Sequence, residues 1–318
     1  MDRIRFRVGA HPINWVGEDV KEHGEHTTFE QIVDDMRKLG LSGTEAGRKY
    51  PTDEEALKRE LDRRGLQLVS QWKSVLFTDP SRRREELESY RKHAEFLSRF
   101  GAKVISTCEI GGSPQFDPNL KGAGGGVRRL DADGWKNLAE GLNEAGRIAK
   151  SMGLTLAYHH HGGTVVERPE EIDRLMELTD PEYVGLLYDT GHACYGGADP
   201  LEVLRRHAKR VVYVHLKDVR KPVLEKARED GADFPECIRR GVFTLPGSGD
   251  LDFKPIVAEL IAMGYDGWVM LEGEQDPALY PPYEFAERAL LYLNRIVAEL
   301  ESDSGNARQE EIIGNRKG

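Results

Sequence analysis

Long apolar runs, paired cysteines, basic clusters and interdomain linkers are all scarce in this 318-residue chain. No apolar run approaches the about 20 residues that cross a bilayer. The opening segment Met1–Val8 has none of the apolar core of a secretory leader, so the chain reads as cytoplasmic and free of membrane. Only three cysteines occur, Cys108, Cys194 and Cys237. They are odd in number and form no CxxC, which excludes a disulfide framework and a thiolate zinc site and leaves them as buried thiols. Positive charge is in deficit, with 45 Lys and Arg against 55 Asp and Glu, a net charge of −10. A nucleic-acid partner is therefore not expected, because counterion release needs clustered cations facing phosphate. The main basic cluster, Arg82–Arg84, reads as a solvated helix start. No Pro/Gly/Ser-rich linker divides the chain, which argues for a single domain over about residues 1–300, followed by a polar tail at 301–318 that is expected to fray.

What is present is an alternation of short β-rich runs with longer segments of helical period, the pattern of parallel βα units in an α/β protein. Eight strands are expected, near Arg5–Ala10, Gly43–Ala46, Leu66–Gln71, Lys103–Cys108, Thr155–His159, Val184–Tyr188, Val211–His215 and Trp268–Leu271. Eight such units close into a (β/α)8 TIM barrel. Thr27 and Glu30 are spaced as a capping box before the apolar stripe Ile32, Val33, Met36 and Leu39, and Gly40 stops that helix. Asp133 opens a long helix that ends near Gly153. Two long loops, 111–126 and 220–252, follow the fourth and seventh strands, the second with a short helix near Val223–Glu229. Loops of this length in a compact domain are substrate-contacting segments or lids.

Chemistry collects at the strand ends, where a barrel of this kind builds its active site. Asp189 terminates the apolar run Val184–Tyr188, so its carboxylate needs a partner, a metal or water; an N-cap for the next helix is the alternative. His192 follows three residues on. His215 and Lys217 share a face at the end of strand seven, and Glu272 and Glu274 end strand eight in the same way. His159, His160 and His161 end strand five; alternation sends His159 and His161 to one side and His160 to the other. A lone strand histidine is usually a core residue, but here Asp189, His215 and Glu272 occupy equivalent places on neighbouring strands, and a divalent metal explains the set better. Asn14 and Trp15, Glu45, Gln71 with Trp72 and Lys73, His192, Asp218 and Glu274 form an expected substrate ring. Glu109, ending Val104–Cys108 just before a glycine-rich turn, is read as an acid or base.

These segments resemble the inosose dehydratases, a family of xylose-isomerase-like barrels. The resemblance runs from about Ala10 to Ile296 and is carried by Pro12–Trp15, Gly43–Glu45, Lys49–Pro51, Ser70–Trp72, Tyr158–Gly162, Asp173–Met176, Leu187–His192, His215–Asp218, Gly241–Thr244 and Glu274–Asp276. It implies a lyase that dehydrates scyllo-inosose, the 2-keto form of myo-inositol, with manganese or cobalt, zinc or magnesium being alternatives, and with a dependence on reduced glutathione. It also implies a metal set of Glu, Asp, His and Glu from strands five to eight. Asp189, His215 and Glu272 match three of these places, and strand five presents His159 where relatives carry Glu, with His161 and Glu167 as further candidates. Dehydration next to a ketone needs α-proton removal, enolate stabilisation and protonation of the departing hydroxyl. Glu109 with His160 or His161 is expected to move the protons and Lys217 to polarise an oxygen. The segment 112–127 is more glycine-rich than the family leads one to expect. Keto-sugar isomerases or epimerases and 3-keto-glycoside eliminases are the rival enzymes on the same barrel, and a metal-free carbohydrate-binding protein is the non-enzymatic rival. Pairing into a homo-oligomer is common in this group.

Overall fold

The computed structural model describes residues 6–120 and 126–314, the stretch 304–314 as backbone. Arg5, residues 121–125 of the expected loop 111–126 and residues 315–318 of the tail therefore lie outside the described residues. The strands are β1 (Arg7–Ala10), β2 (Gly43–Ala46), β3 (Gln67–Gln71), β4 (Lys73–Val75), β5 (Val104–Glu109), β6 (Thr155–His159), β7 (Val184–Asp189), β8 (Val211–Leu216), β9 (Asp218–Val219), β10 (Phe243–Thr244) and β11 (Trp268–Leu271). One parallel sheet runs β3-β2-β1-β11-β8-β7-β6-β5-β4. Its two ends, β3 and β4, are consecutive pieces of one chain segment interrupted at Trp72. The nine stretches are thus the eight expected barrel strands, with the third broken, and Ser70 Oγ accepting from Ser106 N (3.0 Å) ties the break across. The short β9 and β10 form an antiparallel ribbon above the wall.

Helices α1 (Phe29–Lys38), α2 (Glu54–Asp62), α3 (Arg83–Arg99), α4 (Ala132–Ser151), α5 (Pro169–Leu178), α6 (Thr190–Tyr195), α7 (Pro200–His207), α8 (Lys221–Glu229), α9 (Phe234–Arg239), α10 (Phe253–Ala262) and α11 (Pro282–Gly314) complete the chain. Two caps sit elsewhere than the spacing suggested. The capping box of α1 pairs Thr28 with Gln31, not Thr27 with Glu30: Thr28 Oγ1 accepts from Gln31 N (3.3 Å) and Gln31 Oε1 from Thr28 N (2.8 Å). Asp131, not Asp133, caps α4, accepting from Gly134 N at 2.8 Å. Loop 220–252 carries two helices and a strand, and the last helix continues to Gly314 through the polar stretch expected to fray.

The barrel interior is a small, separate apolar layer of Val69, Val104, Ala157, Leu187, Tyr213, Trp268 and Met270. Gly43 makes room for it, since a Cβ there would lie 2.4 Å from the Trp268 ring. Strand side chains alternate with a period of two, so the next inward position is two residues further toward the C-terminal end. Adding two to Val69, Val104, Ala157, Leu187, Tyr213 and Met270 gives Gln71, Ser106, His159, Asp189, His215 and Glu272, while Trp268 leads to Met270 within the floor itself. Glu45 stands in the same relation to Gly43. The apolar floor thus dictates which polar side chains meet above it.

Candidate metal centre and active-site cavity

A cavity of about 610 Å³ opens over this layer, lined among others by His11, Asp19, Glu45, Gln71, Trp72, Ser106, His159, His161, His215, Glu272 and Glu274. At its base His159, Asp189 and His215 each offer a ligand atom, all within 4.8 Å of one another. His159 Nε2 is 3.6 Å and His215 Nδ1 3.7 Å from Asp189 Oδ2. These groups are buried, yet both ring nitrogens of His159, Asp189 Oδ2 and His215 Nδ1 find no hydrogen-bond partner. Orphaned buried polar atoms cost free energy, and one His159 ring nitrogen, Asp189 Oδ2 and His215 Nδ1 converging on one point fit a cation that the protein is built to hold. Oxygen and nitrogen donors without sulfur suit a hard or borderline divalent ion.

Glu272 borders the same point. Its Oε2 lies 2.8 Å from His215 Nδ1 and its Oε1 2.6 Å from Lys217 Nζ. Burial alone would raise its pKa, but the Lys217 and His215 cations hold the carboxyl well below its usual range. His215 shows the reverse balance: burial disfavours its charge, but Glu272 and Glu45 push it up to about 10. Lys217 is enclosed, touching Glu274 Oε2 (2.7 Å), Glu272 and His192 Nε2 (2.9 Å). It therefore fixes the carboxylates from behind and does not present its amine to the cavity, contrary to the expected role on a substrate oxygen.

A second polar wall faces the metal point. Asp19, His161 and Glu274 bring their donor atoms within 4.8 Å of one another. His161 Nδ1 donates to Gly162 O (2.8 Å), which leaves Nε2 as the acceptor, and Trp72 and Phe116 pack edge-on against its ring. Glu274 takes a left-handed backbone (φ 43°), uncommon for a residue with a Cβ, and its Oε1 has no partner. Burial, and then the Glu274 charge, raise the Asp19 carboxyl well above the ordinary range.

Several expected site residues are elsewhere. Glu109 has the outward parity of Thr107, which bonds Tyr90 on α3 (3.0 Å). Its carboxylate accepts from Phe77 N (2.7 Å), Thr78 Oγ1 (2.9 Å) and Gly111 N (2.8 Å), so it anchors two loops and does not reach the cavity. Burial pushes it up to about 7 against those bonds. His160 likewise points outward, accepting from Asp189 N at 3.4 Å, and burial draws it down to about 3. Asn14 bridges Leu271 O (2.9 Å) and Gly273 N (2.6 Å), and Trp15 Nε1 donates to Asp35 (3.1 Å). Asp218 accepts from Val219, Gly247, Gly249 and Leu251 backbone N–H groups and so shapes the loop after β10. His192 stacks behind His161 with ring centroids 3.8 Å apart. Of the strand-five candidates only His159 meets Asp189 and His215; Glu167 instead accepts from Gly163 N (2.6 Å). His11, Asp19 and Phe116 line the cavity and were not singled out from the sequence. Only His11, two residues past Gly9 on β1, carries the period-two signal.

The sequence from residue 33 to 296 matches the model of the xylose isomerase-like TIM barrel family. The chain is 48% identical to the inosose dehydratase of Geobacillus kaustophilus, over 93% of this chain and 96% of that one. The chain belongs to the xylose isomerase-like TIM barrels and, within them, to the inosose dehydratases. Identity to the inosose dehydratase of Clostridium perfringens is 43%, covering 92% of this chain and 98% of the relative. Among solved structures, an L-ribulose 3-epimerase superposes with a TM-score of 0.67 at 18% identity, covering 95% and 98% of the two chains. An IOLI protein with a bound zinc atom does so with a TM-score of 0.67 at 16% identity, over 92% and 98%. At such identities these two share the fold. Membership of the dehydratases makes the chain an enzyme of hydro-lyase type, and among the described residues no helix is long and apolar enough to cross a membrane.

Proposed function

We propose that this enzyme removes water from an inosose, with a divalent cation held by His159, Asp189 and His215 and with Glu272 in the fourth place. One observation carries the reading: the orphaned donor atoms of His159, Asp189 and His215 converge at the base of the cavity in a chain 48% identical to an inosose dehydratase. When bound, the cation supplies Lewis acidity for a ketone oxygen; manganese, cobalt and zinc all suit the donors.

The chain's own residues do the rest. Lys217 and Glu45 hold Glu272 and His215 in position. His161, its Nδ1 proton committed to Gly162 O, turns an accepting Nε2 toward the α-carbon side and acts as base. Asp19 and Glu274, beside it on the same wall, supply the proton to the departing hydroxyl. Trp72 and Phe116 give the ring an apolar face and keep water from the enolate.

The test is an assay of metal-stripped protein with scyllo-inosose, with and without added manganese or cobalt, followed by mass spectrometry. A product lighter by one water that appears only with metal is expected. A product of unchanged mass would move the reaction to epimerisation or isomerisation, which start from the same enolised ketone.

A further inference from the structure

Glu45 stands at the cavity wall, where the sequence made it one of the substrate contacts, but its oxygens are already engaged. Oε1 accepts from the Tyr213 hydroxyl at 2.6 Å and from His215 Nε2 at 2.8 Å, and Oε2 lies 3.8 Å from His11 Nε2. The residue is 1% exposed. Tyr213 belongs to the apolar floor directly beneath His215, with its ring edge-on to the imidazole at 4.9 Å between centroids. Glu45 comes from β2, on the far side of β1 and β11 from His215 on β8.

The consequence lies in the two ring nitrogens of His215. Nε2 is committed to Glu45, and Nδ1 is the atom that faces the ligand-set carboxylates, Glu272 Oε2 at 2.8 Å and Asp189 Oδ2 at 3.7 Å. A ligating imidazole must carry its proton on the nitrogen away from the metal, and a carboxylate bonded to that nitrogen fixes both the tautomer and the ring orientation. We infer that Glu45 is a positioning residue of the metal centre, clamped by the Tyr213 hydroxyl, which makes His215 a ligand through Nδ1, and that it is not a substrate contact. This rests on the metal reading above and extends it by two residues outside the ligand set.

The test is the affinity for cobalt(II), by competition with a chromophoric chelator and by its visible absorption, alongside KM and kcat. Glu45→Ala should lose about 10- to 100-fold in cobalt affinity, the effect typical of removing the partner of a ligating histidine. Its cobalt spectrum should shift, while KM at saturating metal stays near the wild-type value. Glu45→Gln, which keeps an accepting oxygen, should recover part of the affinity. Tyr213→Phe should lose affinity in the same direction but less. Wild-type cobalt affinity in Glu45→Ala together with a raised KM would overturn the inference and restore a substrate contact. Equal cobalt binding by wild type and Asp189→Asn would instead overturn the metal reading itself, so the two failures are distinguishable.

Discussion

At the scale of single residues, the centre is defined by which buried atoms lack partners and which are over-supplied. Asp189 Oδ1 caps α6 through His192 N at 2.8 Å, while Oδ2 is left facing the two histidines. Asp189→Asn keeps the cap and removes the charge, so the protein should fold, lose its metal on dialysis and lose turnover; elemental analysis alongside the assay checks this. Glu109 is the opposite case, a carboxylate with three donors and no view of the cavity. Glu109→Gln sets an amide NH2 against one of those donors. It should cost about 1–3 kcal/mol in unfolding free energy, the usual penalty for a buried group left unsatisfied. Metal content should stay at the wild-type level, and a denaturant titration paired with elemental analysis separates this from a catalytic role.

At the scale of elements, period-two alternation explains what was legible in the sequence and what was not. Ala157 and His159, Leu187 and Asp189, and Tyr213 and His215 each pair an apolar floor residue with a polar one two positions on. A reader of the sequence can see these pairs, and alternation sorts His159, His160 and His161, whereas Asp189 and Glu272 are legible as the ends of apolar runs. Strand β5 gives that cue for Ser106, two past Val104, but none for Glu109. Val104–Cys108 is covered on both faces, and a strand buried on both sides reads as a continuous run with no inside or outside. The parity of Glu109 is set instead by Thr107 meeting Tyr90 on α3, a contact between residues 17 apart that no local pattern announces. Asp19 and Phe116 lie in loops without a period at all, and Asn14, Trp15 and Asp218 carry the residue types of a binding ring while serving as backbone braces. Strand parity makes its own prediction in β6 and the residues after it. His159→Ala should strip the metal with little change in fold, whereas His160→Ala should retain metal and lose about 1–3 kcal/mol by leaving Asp189 N without its acceptor. Metal content and thermal unfolding of the two variants read this directly, and metal loss in both would mean that the strand register is wrong.

At the scale of the whole molecule, the centre joins elements that are far apart in the chain. Glu45 comes from β2, His159 from β6, Asp189 from β7, His215 from β8 and Glu272 from the end of β11, so the mouth of the barrel is tied together by charge across more than two hundred residues of sequence. A cation bound there meets a complete donor set only when all of these strands are in register, so it binds the folded barrel far more tightly than the unfolded chain. Binding of that kind stabilises by RT ln(1 + [L]/Kd), about 2.7 kcal/mol at a metal concentration one hundred times Kd. At about 2–4 °C per kcal/mol for a large domain, Tm should rise by roughly 5–10 °C on adding cobalt to chelator-treated protein. Asp189→Asn, which lacks the central carboxylate, should show a shift no larger than that given by sodium chloride at the same ionic strength. Equal shifts in the two proteins by scanning calorimetry would place the stabilising ion elsewhere on the acidic surface. A shift confined to wild type would show that the strand ends chosen by the apolar floor close the barrel and hold the catalytic ion together.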